Sequence, residues 1–148
     1  MKRDASLIPL SQQHHNGLAL CVLTERALAE DAGDESVRNQ AQRILDRYEL
    51  ELINHFSLEE RLLFPACPPV LSALVEELIA DHRRFESLVE RLRNEPSRTL
   101  IRDFLGLLRR HIRREERELF EPAQALIPRE ALDEIGREID EKAVRVCL

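Results

Sequence analysis

Two ten-residue segments of the chain carry the same chemistry. His55-Phe-Ser-Leu-Glu-Glu-Arg-Leu-Leu-Phe64 aligns without a gap with His111-Ile-Arg-Arg-Glu-Glu-Arg-Glu-Leu-Phe120, and six of the ten positions are identical. On a helix, residues i and i+4 share a face and lie about 6 Å apart. His55 with Glu59, and His111 with Glu115, therefore each offer an imidazole nitrogen and a carboxylate oxygen to one point. Two such pairs facing each other suffice to hold one or two metal ions. Burying a carboxylate alone costs several kcal/mol, and a divalent or trivalent cation supplies the balancing charge. A mixed nitrogen and oxygen donor set suits iron or manganese better than zinc. The sequence contains neither the His-Glu-x-x-His pattern of zinc proteases nor the Glu-x-x-His spacing of ferritin-like di-iron proteins.

The elements that must position these groups are helices. Apolar residues recur at helical spacing in four segments separated by breakers. The first helix is predicted from Ser11, as N-cap, to about Ala29, and the second from near Ser36 to about Phe64, where Pro65, Pro68 and Pro69 stop it. The third runs from about Val70 to Arg93. The fourth runs from about Arg98 to Phe120 and is closed by Pro122, with a shorter fifth over 129–143. The predicted fold is all-α: an up-down-up-down four-helix bundle, core about 11–122, within a single domain spanning 1–148. The seam of helix two reads Ala41, Leu45, Tyr48, Leu52, His55, Glu59, Leu62. Those of helices three and four place His82 between Leu78 and Phe85, and His111 and Glu115 between Leu108 and Leu119. All five histidines, including His14 and His15, fall on these four helices.

Composition agrees with a helical protein and narrows the function. The 148 residues include 4% aromatics, no Trp and only four Gly, which disfavours sheet. A net charge of −6 argues against nucleic acid as a partner. No stretch approaches the roughly 20 apolar residues of a membrane helix, and the start lacks the apolar core of a secretory signal, so a cytoplasmic protein with no membrane partner is expected. Cys21, Cys67 and Cys147 form neither a disulfide framework nor a thiolate site, and are expected to be inert.

The sequence resembles the hemerythrin family, in its bacterial HHE cation-binding branch. The residues carrying the resemblance are Gln13-His14-His15, His55-Phe-x-x-Glu59-Glu60-x-x-Leu-Phe64-Pro65, Asp81-His82, and His111-Ile-x-x-Glu115-Glu116-x-x-Leu-Phe120. The resemblance implies a four-helix bundle around a non-haem di-iron centre bridged by the carboxylates of helices two and four. His55, Glu59, His82, His111 and Glu115 would be ligands. From helix one, His15 is favoured because Leu18 and Val22 follow it at +3 and +7, as Phe85 and Val89 follow His82, with His14 the alternative. Oxygen-carrying hemerythrins have a second histidine one turn from the first on helix three, whereas here Leu78 and Glu86 hold those positions. Glu86 is thus a further candidate ligand, and the more oxygen-rich set points away from plain oxygen carriage. It leaves reaction with oxygen, peroxide or nitric oxide, iron handling, or sensing as the small-molecule functions.

The remaining features have plainer readings. Glu60 and Glu116 sit about 100° round the helix from Glu59 and Glu115 and are expected to face solvent or to back the ligands. Tyr48 and the phenylalanines Phe56, Phe64, Phe85, Phe104 and Phe120 are expected in the core. Arg109, Arg110, Arg113, Arg114 and Arg117, interleaved with glutamates, read as a solvated face. The alternative function is a metal-free or zinc-stabilised helical interaction module. Oligomeric state is open, a homodimer included.

Overall fold

A computed structural model of the chain describes residues 1–146. Among them there are helices and no strand. Helix α1 is Ile8–Glu30, preceded by a 3-10 turn at Ala5–Leu7 whose Ser6 amide donates to Asp4 Oδ1 at 3.0 Å. Its start lies a turn earlier than Ser11, because Pro9 is tolerated in a first turn, where its missing N–H costs no bond. Ser11 does not cap: its hydroxyl donates to Glu116 Oε2 at 2.8 Å. Helix α2 covers 34–63, with Asp34 and Glu35 in its first turn complementing the helix dipole. Helix α3 is Ser72–Asn94. Helix α4 covers 98–126, capped by Ser97, whose Oγ accepts from the Leu100 amide at 3.1 Å. Helix α5 is Arg129–Lys142.

Two of these long helices are not α throughout. In α2 the segments Tyr48–Leu52 and Glu59–Leu63 are π turns, and in α4 so is Glu115–Leu119. A π turn accommodates one extra residue and shifts the phase of everything after it. The seam of α2 accordingly slips after Glu59: Leu63 is buried where the regular spacing predicts Leu62. The same device explains why Pro122 does not close α4. The ladder restarts at Phe120, so the proline falls in the first turn of the continuation, Phe120–Leu126.

Helices α1 and α3 each pack on both α2 and α4. The apolar core is divided in two. One cluster holds Tyr48, Phe56, Phe85, Val89, Ile101 and Phe104 with their neighbours. The other holds Leu7, Leu63, Phe64, Leu78 and Phe120, and is covered by Leu132, Ile135 and Ile139 of α5. All five phenylalanines and Tyr48 are buried, as their spacing predicts. The arginine run of α4 is tied across helices, Arg109 to Glu25 and Arg114 to Glu77, besides the i,i+4 pair of Arg114 with Glu118 at 3.5 Å. No described helix is long and apolar enough to cross a membrane.

Candidate metal centre

Six buried polar side chains converge: His14 of α1, His55 and Glu59 of α2, His82 of α3, and His111 and Glu115 of α4. Aromatic rings from both apolar clusters press on them. Phe56 stacks on His82 with centroids 4.1 Å apart, and Phe120 stacks on His14 at 5.3 Å. Both i,i+4 pairs form, with His55 Nε2 3.4 Å from Glu59 Oε2 and His111 Nε2 3.3 Å from Glu115 Oε1. The two glutamates also reach across: Glu115 Oε1 lies 2.9 Å from His14 Nε2, and Glu59 Oε1 lies 3.3 Å from His82 Nε2. The donor atoms form two overlapping sets, His14/His55/Glu59/Glu115 and Glu59/His82/His111/Glu115. Within each set they lie within 4.8 Å of one another.

Each glutamate opens a π turn. The Glu59 amide faces the carbonyls of both His55 and Phe56, and the Glu115 amide those of His111 and Ile112. The wide turn follows the His/Glu pair, so the two keep their shared face while Leu63 and Leu119 remain inside.

Every Nε2 points inward because every Nδ1 is held outside. Gln13 Oε1 lies 2.9 Å from His55 Nδ1, Glu60 Oε2 2.7 Å from that of His82, Asp81 Oδ2 3.0 Å from that of His111, and Glu116 Oε2 2.7 Å from that of His14. Carboxylates only accept, so at His14, His82 and His111 the Nδ1 carries a proton and Nε2 is the nitrogen turned to the cluster. The three carboxylates are themselves gripped by arginines: Glu116 by Arg3 at 3.1 Å, Asp81 by Arg84 at 3.0 Å, and Glu60 by Arg83.

The electrostatics are those of carboxylates and imidazoles crowded together out of water. Burial, with the nearby Glu115 carboxylate, pushes Glu59 up to about 8. Glu115 behaves oppositely: burial works to raise it, but the charge of His111, with the bond to His14, holds it well below the usual carboxylate range. Burial works to lower His111, yet the charge of Glu115 and the bond to Asp81 outweigh it and lift the imidazole to about 10. His55 Nε2, His82 Nε2, His111 Nε2, both Glu59 oxygens and Glu115 Oε2 are buried with no hydrogen-bond partner.

Two expected ligands lie elsewhere. His15 is exposed, and His14 takes the place on α1. Leu18 and Val22, which favoured His15, are 36% and 41% exposed, and the inward face of α1 carries Leu10, Gln13, His14, Gly17, Leu20, Cys21, Thr24 and Leu28 instead. Gly17 admits Ile112 there, whose Cδ1 would lie 3.1 Å from an added Cβ. Glu86 is exposed and pairs with Arg83 at 3.3 Å, since Phe85 occupies the inward direction at that turn of α3. Gln13, Glu60, Asp81 and Glu116 act on the site from outside it. Their signal was adjacency: each precedes or follows a converging residue on its own helix. Burial pushes the Cys21 and Cys67 thiols up to about 11, in keeping with inert cysteines, and Cys147 lies outside the described residues.

A helical protein with four buried histidines and two buried glutamates around one point is, by class, a cation-binding helix bundle. The family described as Hemerythrin HHE cation binding domain matches residues 9–123, a span containing all six converging side chains, and the chain belongs to that family. No curated protein and no solved structure matches the chain.

Proposed function

We propose that this protein holds two non-haem irons, with His14 and His55 on one, His82 and His111 on the other, and Glu59 and Glu115 shared. It uses them to bind or react with a small molecule such as oxygen, peroxide or nitric oxide, or to handle iron. On this proposal the whole chain, 1–148, is one unit whose helices run up-down-up-down. The observation that carries it is the set of buried inward-facing atoms with no partner in the protein. Each such group costs about 1–3 kcal/mol when left unmade, so a core built around six of them is explained by something that takes them up. The nitrogen and oxygen donors suit iron or manganese.

Bound iron would supply redox capacity and open coordination positions. The chain's own residues orient the imidazoles from outside and, through Phe56 and Phe120, keep bulk water away from the donors. A cleft of about 520 Å³ opens beside His82, lined by Tyr48, Phe56, Ser57, Glu60 and Arg83, and supports entry of a small molecule. The alternative of a metal-free interaction module leaves the orphaned donors without a role.

The test is elemental analysis of protein purified without chelator or affinity metal, paired with an aerobic absorption spectrum. Close to two irons per chain is expected. Zinc alone, or no metal after anaerobic ferrous reconstitution, overturns the proposal.

A further inference from the structure

The four imidazoles are not backed equally. His14, His82 and His111 each face a carboxylate, whereas His55 faces the neutral amide of Gln13. Gln13 and Asp81 hold parallel places: each precedes a converging histidine on its own helix, and each serves the histidine of a repeated segment on the next helix. An amide presents an acceptor at one end and a donor at the other, so it supports His55 only if something fixes which end faces the ring.

The segment that follows α5 does this. Gln13 Nε2 donates to Asn54 Oδ1 at 2.9 Å and to the Val144 carbonyl at 3.2 Å. Asn54 is fixed in turn, accepting from the Val144 amide at 2.9 Å and donating to the Lys142 carbonyl at 3.0 Å. Asn16 Nδ2 adds a bond to the Val146 carbonyl at 3.4 Å. Turning the Gln13 amide over would set its oxygen against two acceptors and present an NH2 to His55 Nδ1. This segment lies outside the residues 9–123 that the family matches.

We propose that residues 143–146, acting with Asn54, are a positioning element for His55: they lock Gln13 so that His55 Nε2 faces the site. The His14/His55 half then depends on the C-terminal segment, and the His82/His111 half, backed by carboxylates, does not. The proposal rests on the cation-site reading, and its test separates the two.

The variants are Asn54→Ala, and Asn54→Asp, which keeps the oxygen that accepts from Gln13 and Val144 but gives up the donor to the Lys142 carbonyl, both in the full chain. In metal-free protein with labelled imidazole nitrogens, Asn54→Ala is expected to lose the slowly exchanging His55 Nδ1–H signal while that of His111 persists; Asn54→Asp retains both. In protein loaded with cobalt(II), Asn54→Ala is expected to release one ion to a chelator about 10–100 times faster, the usual scale for losing a group that orients a ligand, with the other ion unchanged. General damage to the fold would speed both. An unchanged His55 signal in Asn54→Ala, or equal acceleration of both ions, overturns the proposal. If the wild type takes up no cation, the cation-site reading fails, and the imidazole signal alone decides the positioning.

Discussion

Glu116 of α4 holds the Nδ1 of His14 on α1 at 2.7 Å, and this contact closes a ring. Gln13 of α1 serves His55 of α2, Glu60 of α2 serves His82 of α3, and Asp81 of α3 serves His111 of α4. Each helix gives one imidazole inward and one acceptor to the imidazole of the next helix. Moving any helix in this ring disturbs two histidines, its own and its neighbour's, so the bundle's packing and the geometry of the donors are one problem.

Glu59 has both oxygens buried and unpartnered, which makes it a cost in the metal-free protein. Replacing it with an unbranched apolar residue of similar size, Glu59→Met, is expected to stabilise the metal-free form by about 1–3 kcal/mol, the scale at which an unsatisfied buried group is relieved. The same variant is expected to lose the rise in melting temperature that cation addition gives the wild type. Chemical denaturation of both proteins, with and without ferrous iron, measures each effect. A destabilised metal-free variant would mean that Glu59 is satisfied without a cation.

The helices and most of the converging residues are legible in the sequence, because histidine and glutamate at i,i+4 on an apolar seam leave a plain pattern. What stays hidden has specific causes. A π turn has no compositional mark, so the slip from Leu62 to Leu63 after Glu59 and the passage of α4 through Pro122 are not visible from spacing. His14 and His15 are the same residue type side by side. The positions at +3 and +7 from the inward-facing His14 are the small Gly17 and Cys21, so the exposed Leu18 and Val22 at the same spacing from His15 give the misleading signal. Glu60 and Glu116 are expected to face solvent or back the ligands, but which histidine each outer acceptor serves, always one on another helix, is encoded by no periodicity on its own helix.

Asp81 illustrates that cross-helix reach and makes it testable. It adjoins His82 in sequence but bonds His111. Asp81→Asn keeps the shape and lets the amide present the wrong end, so cation affinity is expected to fall about 10–100-fold. Imidazole spectra of the metal-free variant are expected to change at His111 and not at His82. Perturbation at His82 alone would show that neighbours in sequence, not the ring, set the ligand orientation.

The metal-free protein should lose stability as pH rises. His111 is lifted from 6.5 to about 10, so its proton stabilises the fold fully below 6.5, and that contribution is lost as pH climbs to about 10. Glu59, raised from 4.5 to about 8, has the same sign: the unfolded chain gives up its proton first, and stability falls between those values. Glu115, held low, contributes stability already complete above 4.5 and does not offset the trend. A cation on His111 Nε2 and Glu59 displaces both protons, so uptake at pH 7 is expected to release protons, and the loaded protein's melting temperature should depend less on pH. Unbuffered titration with ferrous iron and melting curves from pH 6 to 10 check both. Cation uptake with no proton release would contradict the protonated site.

Two glycines in helices should respond in opposite ways to alanine. At Gly136 of α5 an added Cβ would lie 2.6 Å from Ser6 Cβ and 2.8 Å from Ser6 Cα, so the helix or the N-terminal turn must move. Such overpacking is expected to cost about 1–3 kcal/mol, and it loosens the helix that covers Leu63, Leu78 and Phe120. At Gly106 of α4 the nearest atom to an added Cβ is the mobile end of Arg110, at 3.3 Å, which can swing aside. There Gly→Ala is expected to gain about 0.5–1 kcal/mol from helix propensity. Denaturation midpoints of Gly136→Ala and Gly106→Ala decide. If Gly136→Ala is neutral, α5 sits more loosely on the N-terminal turn than these distances require, and the anchor of the segment that reaches Gln13 would have to be sought in residues 143–146 themselves.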